Sequence, residues 1–190
     1  MISPSKPLAL DTPEAPPWFI RSRRAWNLSV PIALLLLSAA CRGTGRYAAL
    51  GTAQVLVGQF IRCWAAGCIR KNRDLATDGP FAWTRNPLYF GSFIIALGYV
   101  VLSGVWPTLI VVPVLFAAIY LPTMRLEETQ LRRLFGASAD DYCRAVPSFF
   151  PRVPRWRRSI GSFCWRRLAS NREWDTAIAN AIGVALFWLT

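Results

Sequence analysis

Gly79-Pro80-Phe81-Ala82-Trp83-Thr84-Arg85-Asn86-Pro87-Leu88-Tyr89-Phe90-Gly91 leads from a polar, aromatic turn into a long apolar run, and charge returns only at Arg125-Leu126-Glu127-Glu128. The run is broken once, at the uncharged turn Gly104-Val105-Trp106-Pro107, so it reads as two helices of a membrane-sized hairpin. At 1.5 Å per residue, Pro87 to Gly104 descends about 26 Å and Pro107 to Glu127 returns about 30 Å. The near-equal legs put Asn86 and Glu127 at similar depth. Polar groups gathered at such a junction are expensive to hold there and suggest a site.

The bulk composition agrees with a membrane setting. The 190 residues are 54% hydrophobic and only 17% charged, with a mean hydropathy of +0.31; a typical soluble domain carries more charge. The formal charge of +12 comes from 22 Lys and Arg gathered mainly in three blocks, Lys6 to Arg24, Arg70 to Arg85 and Arg125 to Arg172. With those blocks cytoplasmic, the pattern follows the positive-inside rule with the N-terminus and the polar junction at 79–91 and 127–128 on the cytoplasmic side. The same blocks suit anionic lipid headgroups. Nucleic acid is not an expected partner, because no basic face with interleaved aromatics lies in a soluble module. The chain has no histidine, and its 5 cysteines form no CxxC pair, so no metal is expected.

The fold class expected is all-α: a polytopic integral membrane protein of about five transmembrane helices, with spans near 26–41, 47–69, 88–105, 108–126 and 175–190. Residues 1–17, rich in proline, read as a disordered tail, and 18–190 as a single domain. Arg62 interrupts the second span about two turns from its basic end and is placed to snorkel. The fourth helix runs from Thr108 through Phe135, longer than a bilayer requires, and Pro113 and Pro122 are expected to kink it. Trp156, Ile160, Phe163 and Leu168 fall near helical spacing among arginines, as in a helix lying on the membrane surface. The last apolar stretch is short for a crossing, and reads as a thin fifth span or a re-entrant segment.

Each polar motif alone has a plain structural explanation. Asp78-Gly79-Pro80 is ordinary turn chemistry, Pro87 suits a first helical position, and Glu127-Glu128 could pair with nearby arginines at a solvated helix end. Their joint occurrence is more specific. Gly58-Gln59-Phe60-Ile61-Arg62, Gly-Pro-Phe-x3-Arg-Asn-Pro-Leu-Tyr-x-Gly at 79–91, Glu-Glu-x6-Phe-Gly at 127–136 and Tyr-x3-Val-Pro at 142–147 occur in that order. Over about residues 50 to 152 the chain resembles the isoprenylcysteine carboxyl methyltransferase and phospholipid methyltransferase superfamily. The resemblance implies an S-adenosyl-L-methionine-dependent membrane enzyme acting on a lipidic or prenylated acceptor. It further implies a cofactor pocket at Leu75, Ala76, Phe81, Asn86, Pro87, Leu88, Tyr89 and Glu127. Asn86 stands where the family has histidine; it can still donate and accept hydrogen bonds but cannot titrate.

On this reading Arg85 and Glu128 are the catalytic candidates and Arg125 a candidate for holding an anionic substrate. Phe81, Tyr89 and Trp83 would offer π faces to a cationic sulfur. A carboxylate acceptor needs no general base at neutral pH, whereas an ammonium acceptor would need one, such as Glu128 with a raised pKa. Three other readings stay open. They are a phospholipid amine N-methyltransferase, a non-catalytic scaffold, and an NADPH-dependent sterol-type reductase, whose Tyr-Cys-x-Arg-Val-Pro ending Tyr142-Cys143-Arg144-Ala145-Val146-Pro147 approaches.

Overall fold

The computed structural model describes residues 47–69, 75–153, 163–171 and 173–189. The expected tail, the span at 26–41 and most of the surface-helix segment lie outside them. The described chain is all-α, without a strand: α1 (Ala48–Cys68), a 3-10 turn (Gly79–Ala82), α2 (Pro87–Ser103), α3 (Thr108–Phe135), α4 (Ala137–Ala145), α5 (Trp165–Ser170) and α6 (Glu173–Leu189). One of these, Thr108–Phe135, is long and apolar enough by length and composition to cross a membrane.

Local chemistry sets the helix ends. Pro87 opens α2 at a position whose N–H would have no intrahelical partner. Gly104 closes it with φ of 65° in the left-handed region, which glycine enters without a Cβ clash. Gly136, at φ 54°, ends α3 and turns the chain into α4. α3 continues as one helix through Pro113 and Pro122.

α1 and α2 pack so closely that their backbones touch. A Cβ on Gly58 would lie 2.6 Å from Gly91 O, and one on Gly51 2.8 Å from Gly98 O. The reverse distances, from Gly91 to Gly58 O and from Gly98 to Gly51 O, are 2.7 and 2.9 Å. The glycines recur at a seven-residue interval on both helices in opposite order, so the pair is antiparallel. In a membrane, where apolar burial gives little drive for helix association, such small-residue contact lets dispersion forces do it.

α6 lies along α1 from end to end. Glu173 meets Arg62 at one end, Asn180 Nδ2 donates to Gln59 Oε1 at 2.8 Å in the middle, and Trp188 Nε1 donates to Thr52 Oγ1 at 3.1 Å at the other. Gly183 lets the Tyr99 ring of α2 come against α6. Arg62 does not snorkel. It is 9% exposed, because Glu173 and the start of α2 supply partners within the protein.

The described bundle has an apolar core that also encloses several polar groups, and it carries large apolar side chains on its outer face. Phe60, Ile110, Val114, Ile178, Ile182 and Trp188 are exposed, while Arg62, Glu173, Thr123 and Asn180 are buried. Such an outward face has no favourable contact with water. One interior cluster, with Val55, Ile95, Tyr99, Val100 and Leu102, lies between α1 and α2; a second, Tyr89, Phe116, Tyr120 and Met124 with Phe93 and Phe149, fills the space between α2, α3 and the segment after α4.

Candidate active site

The stretch following α4 is stitched onto the turn that precedes α2. Arg85 N donates to Pro147 O at 2.9 Å, and Arg152 N to Trp83 O at 3.0 Å. Thr84 Oγ1 donates to Phe149 O at 2.9 Å, and Asn86 Nδ2 to Ser148 O at 2.9 Å. Tyr142 OH reaches Phe81 O at 2.8 Å. Burial pushes the Tyr142 phenol well above its ordinary range, so it remains a neutral donor. The Tyr-x3-Val-Pro motif is therefore a brace that fixes the elbow at 81–89.

Beneath that elbow is a cavity of about 250 Å³. Ten of the residues singled out from the sequence line it: Leu75, Ala76, Phe81, Arg85, Asn86, Pro87, Leu88, Tyr89, Glu127 and Glu128. Arg125 does not; it is exposed on α3. Positions two apart on a helix point in nearly opposite directions, so Arg125 and Glu127 cannot share a wall. Trp83 is 44% exposed and is likewise absent from the lining.

The sequence reading missed Met124, Leu131, Leu134 and Phe135, which complete the α3 wall, and Tyr142 and Cys143 from α4. The α3 set was discoverable: 124, 127, 128, 131, 134 and 135 form one stripe at helical spacing. Ile69, just past α1, also lines the cavity, and no sequence signal marks it.

Two carboxylates sit in different surroundings. Tyr89 OH donates to Glu127 Oε1 at 2.6 Å, tying the start of α2 to α3. Glu128 is held by Arg85 Nη1 at 2.6 Å and by Arg132 Nη2 at 2.9 Å, and Arg132 in turn reaches Asp140 of α4 at 2.9 Å. Two guanidiniums favour the ionised form of Glu128. The Arg85 Nη1 contact is ionic but off the line of a hydrogen bond, and the buried Arg85 Nε has no hydrogen-bond partner among the described residues. Buried polar atoms are nearly always satisfied, which sets this guanidinium nitrogen in the cavity wall apart. One of the two Asn86 amide hydrogens is used on Ser148 O, which leaves the second N–H and the carbonyl oxygen for the cavity. Among the described residues, no group of three or more His, Cys, Asp or Glu is placed to hold a metal ion.

A helical elbow thus covers a partly aromatic cavity that acidic and basic groups face, and α3, the long apolar helix, supplies one wall. The chain belongs to the phospholipid methyltransferase family, whose sequence pattern matches residues 26–138. It is 32% identical over 72% of its length to the nickel-cobalt-cadmium resistance protein NccN of Alcaligenes xylosoxydans, spanning 66% of that protein. It is also 32% identical over 82% of its length to the cobalt-zinc-cadmium resistance protein CzcN of Cupriavidus metallidurans, spanning 76% of it. Similarity to the protein-S-isoprenylcysteine O-methyltransferase of Schizosaccharomyces pombe is 33% identity over 54% of this chain and 44% of that one. No solved structure gives a significant match. The family and this last relative support a membrane methyltransferase.

Proposed function

We propose that this chain is an integral membrane methyltransferase that uses S-adenosyl-L-methionine and acts on a lipidic or prenylated acceptor carrying a carboxylate or thiolate. The observation that carries the reading is the pairing, in one cavity wall, of Glu127 held by Tyr89 with an Arg85 whose Nε is unmatched. An amino-acid moiety needs an anion for its ammonium and a cation for its carboxylate, and this wall offers both. Apolar side chains from Met124, Leu131, Leu134 and Phe135 make up much of the rest of the lining, with Phe81 and Tyr89 supplying rings. The residues present fit the cofactor.

When bound, S-adenosyl-L-methionine supplies an electrophilic methyl group on a sulfonium. Glu127 would hold its ammonium, with the Tyr89 hydroxyl fixing the carboxylate, and Arg85 would hold its carboxylate. Phe81 and Tyr89 would exclude water and face the positive charge. Holding donor and acceptor in line supplies much of the rate, about 7–11 kcal/mol for well-oriented reactions. Glu128, clasped by two guanidiniums, is poorly suited to take a proton from an ammonium. That favours an acceptor already anionic at neutral pH.

The five-span topology, the single domain over 18–190 and the cytoplasmic placement of the cavity belong to the same proposal. They are supported by the positive blocks and by α6 running the length of α1. Leu75, Ala76, Asn86, Pro87 and Leu88 then serve as cofactor-pocket walls, and Arg125, outside the cavity, as a contact for an anionic headgroup at its rim. The names of two relatives add a physiological expectation, a contribution to cobalt and cadmium resistance, which growth of a strain carrying Glu127→Ala would test.

The reading is tested by binding of radiolabelled S-adenosyl-L-methionine and NADPH to the purified chain, followed by mass spectrometry of lipids and prenylated thiols incubated with it. Saturable binding of the methionine derivative and a mass gain of one methyl group support it. Binding of NADPH alone would transfer the site to the reductase reading.

A further inference from the structure

Arg62 and Glu173 lie outside the cavity lining, yet they are among the most enclosed charges described. Arg62 Nη2 lies 2.9 Å from both Glu173 oxygens, and Nε donates to Glu173 Oε2 at 3.1 Å. The remaining nitrogen, Nη1, donates to Leu88 O at 3.3 Å and to Ser92 Oγ. Ser92 Oγ itself donates to Leu88 O at 3.0 Å. Every nitrogen of the guanidinium is thus engaged, two on Glu173 of α6 and one on the start of α2. Leu88 and its neighbour Tyr89 are cavity walls, and Tyr89 orients Glu127.

We propose that Arg62 and Glu173 are positioning residues for the cavity: α6, through this ion pair, holds the Leu88 carbonyl and so sets the first turn of α2 that presents Leu88 and Tyr89. The charge pair is costly to bury, and lateral packing alone would be served by the glycine contacts and by Asn180. What the pair adds is a directed bond from Arg62 of α1 to the Leu88 carbonyl, with Glu173, on a helix beyond the matched family region, fixing the guanidinium that donates it. Glu173 is also suited to its place, an acidic side chain in the first turn of α6 where the helix dipole favours negative charge. Arg rather than Lys is required, because a single ammonium cannot span a carboxylate and a carbonyl in fixed fork geometry.

The test uses the full chain in nanodiscs, as wild type, the double variant Arg62→Met with Glu173→Leu, the single variant Arg62→Lys, and Asn180→Ala as a control that loosens α6 elsewhere. Replacing a buried ion pair by apolar groups of similar size often leaves stability intact, so the double variant separates positioning from folding. Hydrogen exchange over residues 86–92, thermal unfolding and affinity for S-adenosyl-L-methionine are measured. The expectation is exchange and dissociation constant each raised about tenfold in the double variant at a near-unchanged unfolding midpoint. Asn180→Ala should leave both near wild type. Arg62→Lys keeps the charge and should reproduce the effect in part, and it decides the matter if the double variant does not fold. Unchanged exchange over 86–92 in a folded variant, or the same loosening in Asn180→Ala, would overturn the proposal. The affinity arm rests on the function proposed above; wild-type protein that binds no S-adenosyl-L-methionine would sink that function, and the exchange arm would still judge the positioning role.

Discussion

At the scale of single residues, the bond from Tyr89 OH to Glu127 Oε1 joins two motifs that are far apart in sequence. A hydrogen bond to a charged group contributes about 1.5–3 kcal/mol. Tyr89→Phe should therefore weaken S-adenosyl-L-methionine binding by about tenfold or more while the protein stays folded, as titration calorimetry would read. Asn86 has a different task in view: its amide donates to Ser148 O, so Asn86→Ala should cost about 1 kcal/mol of stability, seen in thermal unfolding, by freeing the brace. The motif residues at 85–89 and 127–128 were legible because helix rise sets them at matched depth and their order resembles the family's motifs. The fate of Arg62 was not. A lone arginine in an apolar run looks the same whether it snorkels or is paired, and its partner Glu173 lies 111 positions away.

At the scale of elements, the tightest constraint is the α1–α2 contact. A side chain at Gly58 would drive its Cβ against the Gly91 carbonyl, a backbone atom that cannot rotate away. Gly58→Val should destabilise by about 1–3 kcal/mol or prevent folding, measured as loss of folded protein on mild heating in detergent. Valine at exposed Ala53, on the same helix, should be near neutral. The helices themselves were legible, since α2 and α3 fall close to the expected limits. Their mutual packing was not, because the recurrence of glycine at 51, 58, 91 and 98 gains meaning only once the two helices are known to be neighbours. The last stretch was ambiguous by length alone; the polar contacts at Glu173, Asn180 and Trp188 show it running beside α1 throughout.

At the scale of the whole molecule, an apolar core is joined by polar pairs buried between helices, and large apolar side chains also face outward, unlike the surface of a soluble bundle. Under the proposed topology of five crossings with the basic blocks cytoplasmic, the two ends of the chain would lie on opposite sides. A reporter fused after Thr190 should then register as external, whereas one inserted near Phe150 should register as cytoplasmic; identical readings at both positions would remove one span. The brace from Tyr142 to Phe149, the α3 stripe and the elbow close one cavity from three directions. Its acidic and basic walls give the account its chemistry.

That chemistry is tested most directly by the affinity of the purified chain for S-adenosyl-L-methionine, compared between wild type and Glu127→Ala. The account predicts saturable binding by the wild type and none measurable in the variant, with both proteins folded. Equal affinity in the two, or no binding by a folded wild type, would contradict it.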